Sequence, residues 1–194
     1  ILNSDKAESR KKLGLTPDEK MLLVAGGSGG SEEINNALKK LIPALVKDKI
    51  AFTIATGRAY YDQFMKDYGD LEFGQNQILP YLDDMANNLA AADLVIGSAG
   101  AISMAEMTAI GVPAVIVPKA YTAENHQEYN AKSLERAGGA ICITERELSE
   151  DSLYDNVLGL LNDKTRLEEM AKASRAFGKR DAIDQIYDRI SAFL

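Results

Sequence analysis

The chain has 194 residues, 46% of them hydrophobic and 26% charged, with a formal net charge of -7 and one cysteine. That length and composition suit one well-buried globular domain and exclude a disordered segment. The acidic balance, with only the isolated basic pairs Lys11-Lys12 and Lys39-Lys40, excludes a nucleic-acid binder and a charge-driven membrane-docking segment.

The chain opens at Ile1-Leu2, without an initiator Met, on a polar stretch read as a lead-in over residues 1–20, which suggests an excised fragment. Met21 to Ala25 reads as a buried strand, followed by Gly26-Gly27-Ser28-Gly29-Gly30-Ser31. Ser31 to Val46 then reads as a helix, with Ile34, Leu38, Leu41 and Leu45 at helical spacing. Ala51 to Ala55 is the next strand, and Arg58 to Tyr68 the next helix. Gln77 to Leu79 is a short strand broken by Pro80, and Asp83 to Ala91 a helix with an acidic first turn.

Asp93 to Ile96 is a strand, Ala101 to Ile110 a helix, and Ala114 to Val117 a strand ended by Pro118. Asn125 to Ala137 is a helix stopped by Gly138-Gly139. Ala140 to Ile143 is the last strand, and it carries Cys142, expected to be a buried, inert thiol of the kind a reducing cytoplasm permits. The tail reads as three helices: Ser152 to Leu161, Thr165 to Ala176 and Arg180 to Phe193. Every strand is a continuous apolar run, which predicts an α/β fold, a Rossmann-like parallel sheet with helices on both faces. The core spans residues 21–150 and the helical tail 151–194, together one domain. No apolar run approaches a membrane span, so direct membrane insertion is not expected.

In such a sheet, ligands gather at the carboxyl ends of the strands. Gly26 to Ser31 matches neither the Walker nor the dinucleotide pattern. It does place small residues at a helix start, where backbone N–H groups and the Ser28 hydroxyl approach a phosphate; a tight turn with Ser31 as N-cap is the bland alternative. After the fourth strand, small residues again open a helix that carries Ser103 and Glu106. Glu106 suits the hydroxyls of a ribose, because a carboxylate accepts from both. Ser103-x-x-Glu106 is equally a capping-box pattern.

Past the fifth strand, His126, Gln127 and Asn130 cluster near a helix start, with Asn125-x-x-Glu128 as another capping-box pattern. Amides that both donate and accept suit sugar hydroxyls, whereas a lone His is poor metal chemistry. No zinc spacing, nucleophile elbow or other metal cluster is visible, and no cofactor is expected.

Taken together, Gly26-Gly27-Ser28, Pro80 to Met85, Ala92 to Glu106, Gly111-Val112-Pro113 and His126 to Ala131 resemble the carboxyl-terminal half of the MurG family. These are GT-B glycosyltransferases that transfer N-acetylglucosamine from UDP-GlcNAc to lipid I, forming lipid II for peptidoglycan at the cytoplasmic face of the plasma membrane. The resemblance runs from about Met21 to Leu161. It implies that Gly27 and Ser28 face the diphosphate, that Leu82 offers backbone groups to uracil, and that Ile102 and Ser103 donate to a phosphate. It also implies that Glu106 holds the ribose, while His126, Gln127 and Asn130 read the sugar. The lipid acceptor and the catalytic base are implied to belong to an amino-terminal half outside this chain, so the chain alone is expected to be inactive. One departure is Ser98, where the family commonly carries Arg. It keeps open a MurG-related enzyme with another sugar or acceptor, and a non-catalytic module on the same fold.

Overall fold

The computed structural model describes residues 2, 4–68, 73–120 and 123–191. Six strands form one parallel sheet: β1 (Met21–Ala25), β2 (Ala51–Ala55), β3 (Gln77–Leu79), β4 (Leu94–Gly97), β5 (Ala114–Ile116) and β6 (Ala140–Cys142). Their order across the sheet is β3-β2-β1-β4-β5-β6, and every pairing is parallel. The chain winds outward from β1 to β3, then returns to lay β4 on the other side of β1, with Ala25 opposite Gly97. That reversal opens a crevice at the carboxyl ends of β1 and β4.

Alternation along each strand divides the core. Leu22, Val24, Leu94 and Ile96 enter one apolar layer with Leu38, Leu41, Leu45, Leu153 and Val157. Leu23, Val95 and Ile116 enter the other with Leu89, Met104, Met107 and Leu134. Both faces are therefore buried, which is why the strands lack polar alternation.

The helices are α1 (Lys6–Lys12), α2 (Glu32–Ala37), α3 (Leu41–Lys47), α4 (Tyr61–Tyr68), α5 (Met85–Ala91), α6 (Ala101–Ile110), α7 (His126–Arg136), α8 (Glu150–Leu161), α9 (Lys164–Phe177) and α10 (Ala182–Ser191). No helix among the described residues is long and apolar enough to cross a membrane. The predicted end of the last helix, Phe193, lies outside the described residues.

Several local expectations need correction. The single helix expected over Ser31 to Val46 is two, α2 and α3, broken at Leu38 to Lys40. Pro43 explains the break: it has no N–H to bond one turn back, and it sits in the first turn of α3, where that donor would be unpaired anyway. Asp84 is not in the first turn of α5. It is the N-cap, accepting from Asn87 N at 3.2 Å. The lead-in is also structured. Its helix α1 is held by Arg10, whose guanidinium donates to the carbonyls of Ala91 at 2.9 Å, Thr16 at 3.2 Å and Glu19, and to Asp93 Oδ2 at 3.3 Å.

Candidate functional site

The two helix starts that matter are built differently. At α2, Ser31 is the N-cap, its Oγ accepting from Ile34 N at 3.3 Å. At α6 the N-cap is Gly100, with no side-chain bond, and the first intrahelical donor is Met104, whose N–H meets Gly100 O at 2.9 Å. The N–H groups of Ala101, Ile102 and Ser103 therefore point from the start of the helix without an acceptor in the preceding turn. Ser103 lies inside the helix, so it cannot form a capping box with Glu106. The two residues are one turn apart on a single face of α6.

These elements enclose a cleft of about 600 Å³ at the carboxyl ends of the strands. Leu23, Ala25, Val95 and Gly97 form its floor, and Gly26 to Gly29 one rim. Tyr81, Leu82 and Met85 line a second side, and Ile102, Ser103 and Glu106 a third. Gly27, Ser28, Leu82, Ile102, Ser103, Glu106 and Gln127 thus share one cavity. Ser28 is exposed on the loop, while the Ile102 side chain, 76% exposed, stands at the lip. A smaller cavity of about 330 Å³ lies at the amino ends of β1 and β2, lined by Leu13, Met21 and Phe73 among others. Ligands of parallel sheets gather at the other end.

The glycines of the loop have distinct causes. Gly30 has φ +78°, and a Cβ there would lie 2.1 Å from Thr56 O and 2.7 Å from Gly57 Cα. It is glycine because the loops after β1 and β2 touch backbone to backbone. At Gly29 a Cβ would meet nothing within 4 Å. Ser98, buried beneath the loop, has its Oγ 3.1 Å from the Cβ position of Gly27.

His126, Gln127 and Asn130 all belong to α7 and are placed differently from one another. Gln127 is buried, and its Oε1 accepts from Ala99 N at 3.3 Å and Lys119 N at 3.0 Å. Asn130 Nδ2 donates to Ala99 O at 3.0 Å. The two amides clamp the β4–α6 turn against α7, which leaves only the Nε2 side of Gln127 for the cleft it lines. His126 is exposed at the start of α7 and, like Asn130, is not among the cleft-lining residues. The capping box expected from Asn125 and Glu128 does not form: Asn125 has φ 53° and no side-chain cap bond.

Lys119 escaped the sequence reading. It follows Pro118 beyond β5, lines the cleft, and donates from Nζ to Gly30 O at 2.7 Å. Its position just past a strand's carboxyl end was the available signal. Cys142 is a free, buried thiol, and burial pushes it up to about 11, so it stays neutral near pH 7 and offers no thiolate nucleophile.

Residues 21–186 match the glycosyltransferase family 28 C-terminal domain. The chain belongs to glycosyltransferase family 28. Among its family relatives, the UDP-N-acetylglucosamine--N-acetylmuramyl-(pentapeptide) pyrophosphoryl-undecaprenol N-acetylglucosamine transferase of Clostridioides difficile (strain 630) is 54% identical over 98% of this chain and 47% of its own length. The enzyme of that name from Acetivibrio thermocellus is 42% identical, over 98% of this chain and 52% of its own length. The chain therefore spans about half of these family members. In the crystal structure of Acinetobacter baumannii MurG, 54% of that chain superposes on 98% of this one with a TM-score of 0.80 and 27% identity. The Rossmann-like sheet described above is thus the carboxyl-terminal half of a GT-B glycosyltransferase.

Proposed function

We propose that this chain is the donor-binding half of the transferase that moves N-acetylglucosamine from UDP-GlcNAc to lipid I, making lipid II for peptidoglycan. The observation that carries the reading is the gathering of Ser28, Ser103 and Glu106 around one cleft, in a chain 54% identical to a transferase of that name. The diphosphate lies against the Gly27–Ser28 backbone and the start of α6, where N–H groups and the positive end of the helix dipole favour negative charge. Glu106, one turn further along, accepts from both ribose hydroxyls. Leu82 meets the uracil edge. The Nε2 of Gln127 faces the sugar, with His126 and Asn130 on the same helix but outside the cleft lining.

The chemistry is an inverting displacement. The acceptor hydroxyl, deprotonated by a base from the amino-terminal half, attacks the anomeric carbon, and the bond to the diphosphate breaks. Donors at the start of α6 are fixed before reaction, so they stabilise charge as it grows on the departing UDP. The lipid acceptor and the cytoplasmic membrane face are assigned to the whole enzyme.

Isothermal titration of this chain tests the reading. UDP and UDP-GlcNAc are expected to bind weakly, with UDP-glucose and UDP-galactose weaker than UDP-GlcNAc, and no sugar transferred to lipid I. Absence of any heat at millimolar UDP would overturn the assignment of the cleft.

A further inference from the structure

We propose that the ammonium of Lys119 neutralises the diphosphate of the bound nucleotide sugar, and that its bond to Gly30 holds it ready for that contact. The inference rests on the donor-site reading above and adds to it a cation that the loop and helix starts do not provide.

The first argument is charge. Asp83, Glu106 and Lys119 are the ionisable acidic and basic side chains lining the cleft among the described residues, two of them acidic. The chain as a whole carries -7. A diphosphate entering a cleft with two carboxylates meets repulsion that neutral backbone donors offset only in part. Lys119 is the one cationic side chain in that lining.

The second argument is placement. β4 lies between β1 and β5 in the sheet, so a side chain from beyond β5 must cross the end of β4 to reach the loop after β1. Lys119 makes that crossing, its Nζ 2.7 Å from Gly30 O. Its backbone N–H is fixed by Gln127 Oε1 at 3.0 Å. Both ends of the residue are anchored, which places the ammonium over the crevice beside Gly27 to Gly29.

The third argument separates this role from that of a plain latch. A carbonyl needs one donor, and a neutral amide supplies it, whereas an ammonium carries three donors and a charge that is costly to keep partly buried. Gly30 O engages one of the three. An incoming anion recovers the cost of the charge.

Lys119→Gln keeps a donor for Gly30 while removing the charge, and Lys119→Arg keeps the charge. Titrating UDP and uridine into this chain and both variants reads the difference. Lys119→Gln is expected to weaken UDP about 10- to 100-fold, as for a lost charge-assisted hydrogen bond. Uridine binding stays unchanged, and Lys119→Arg retains most of the UDP affinity. Unchanged UDP binding in Lys119→Gln, or equal losses for UDP and uridine, would overturn the proposal. An unaltered chain that binds neither ligand would sink the donor-site reading itself.

Discussion

Replacing Gly30 by alanine is expected to lower the melting temperature by roughly 6–12 °C, while Gly29→Ala leaves it within about 2 °C of the parent. Two terms add at Gly30. Its φ of +78° costs an L-residue about 1 kcal/mol. The new Cβ also lands 2.1 Å from Thr56 O, which Asn35 Nδ2 holds at 2.9 Å and which has little room to retreat. Separating the loops after β1 and β2 brings the total to about 3 kcal/mol. Gly29 has open space at its Cβ position and no positive φ, so alanine there costs little and reduces the freedom of the unfolded chain. Thermal melts of the two variants side by side decide the matter. A Gly30→Ala chain that melts with the parent would mean the loop contact bears no strain.

Arg10→Ala is expected to cost about 3 kcal/mol, a further fall of roughly 6–12 °C measured the same way. The guanidinium side chain is only 5% exposed, and it serves Ala91 O, Thr16 O, Glu19 O and the Asp93 carboxylate together. Removal leaves those acceptors without their donor, including a carboxylate that also takes Met21 N at 2.9 Å, at the root of β1. Asp93 keeps some solvent, which holds the expected cost at the lower end for a broken buried pair. Lys6 pairs with the same carboxylate at 2.6 Å but is half exposed, so Lys6→Ala should cost under about 1 kcal/mol. Equal melting temperatures for the two variants would reduce α1 to an appendage.

The contrast between these positions shows what the sequence discloses. The strands are legible because burial on both faces turns each into an uninterrupted apolar run, and α6 is legible from Ala101 to Ile110 because Gly100 and Gly111 punctuate it. The cleft is legible for the same reason: a parallel sheet says which strand ends to inspect. Helix starts are less legible. Ser103-x-x-Glu106 and Asn125-x-x-Glu128 satisfy the capping pattern, yet α6 starts before Ser103, and Asn125 adopts a left-handed conformation with no cap bond. A four-residue pattern does not fix where a helix starts: α6 is capped by Gly100 without a side-chain bond and already includes Ala101 and Ile102 before Ser103. Pro43 was the visible sign that Ser31 to Val46 would break. Arg10 left no sign at all, because its burial depends on Asp93, 83 residues away in the chain. Gln127 was legible at a strand end and lines the cleft, whereas Asn130 does not; the clamp the two form on Ala99 was not legible, because only the approach of α7 to the β4–α6 turn creates it.

The central claim is that a carboxylate one turn into α6 grips the ribose of a nucleotide whose diphosphate sits at that helix's start. Four titrations test it: UDP and 2′,3′-dideoxy-UDP, each against the parent chain and Glu106→Ala. Either change alone is expected to weaken binding about 10- to 100-fold, and both together no further than one, because each removes the same pair of hydrogen bonds. Losses that multiply in the doubly altered pair would place the ribose away from Glu106 and contradict the account.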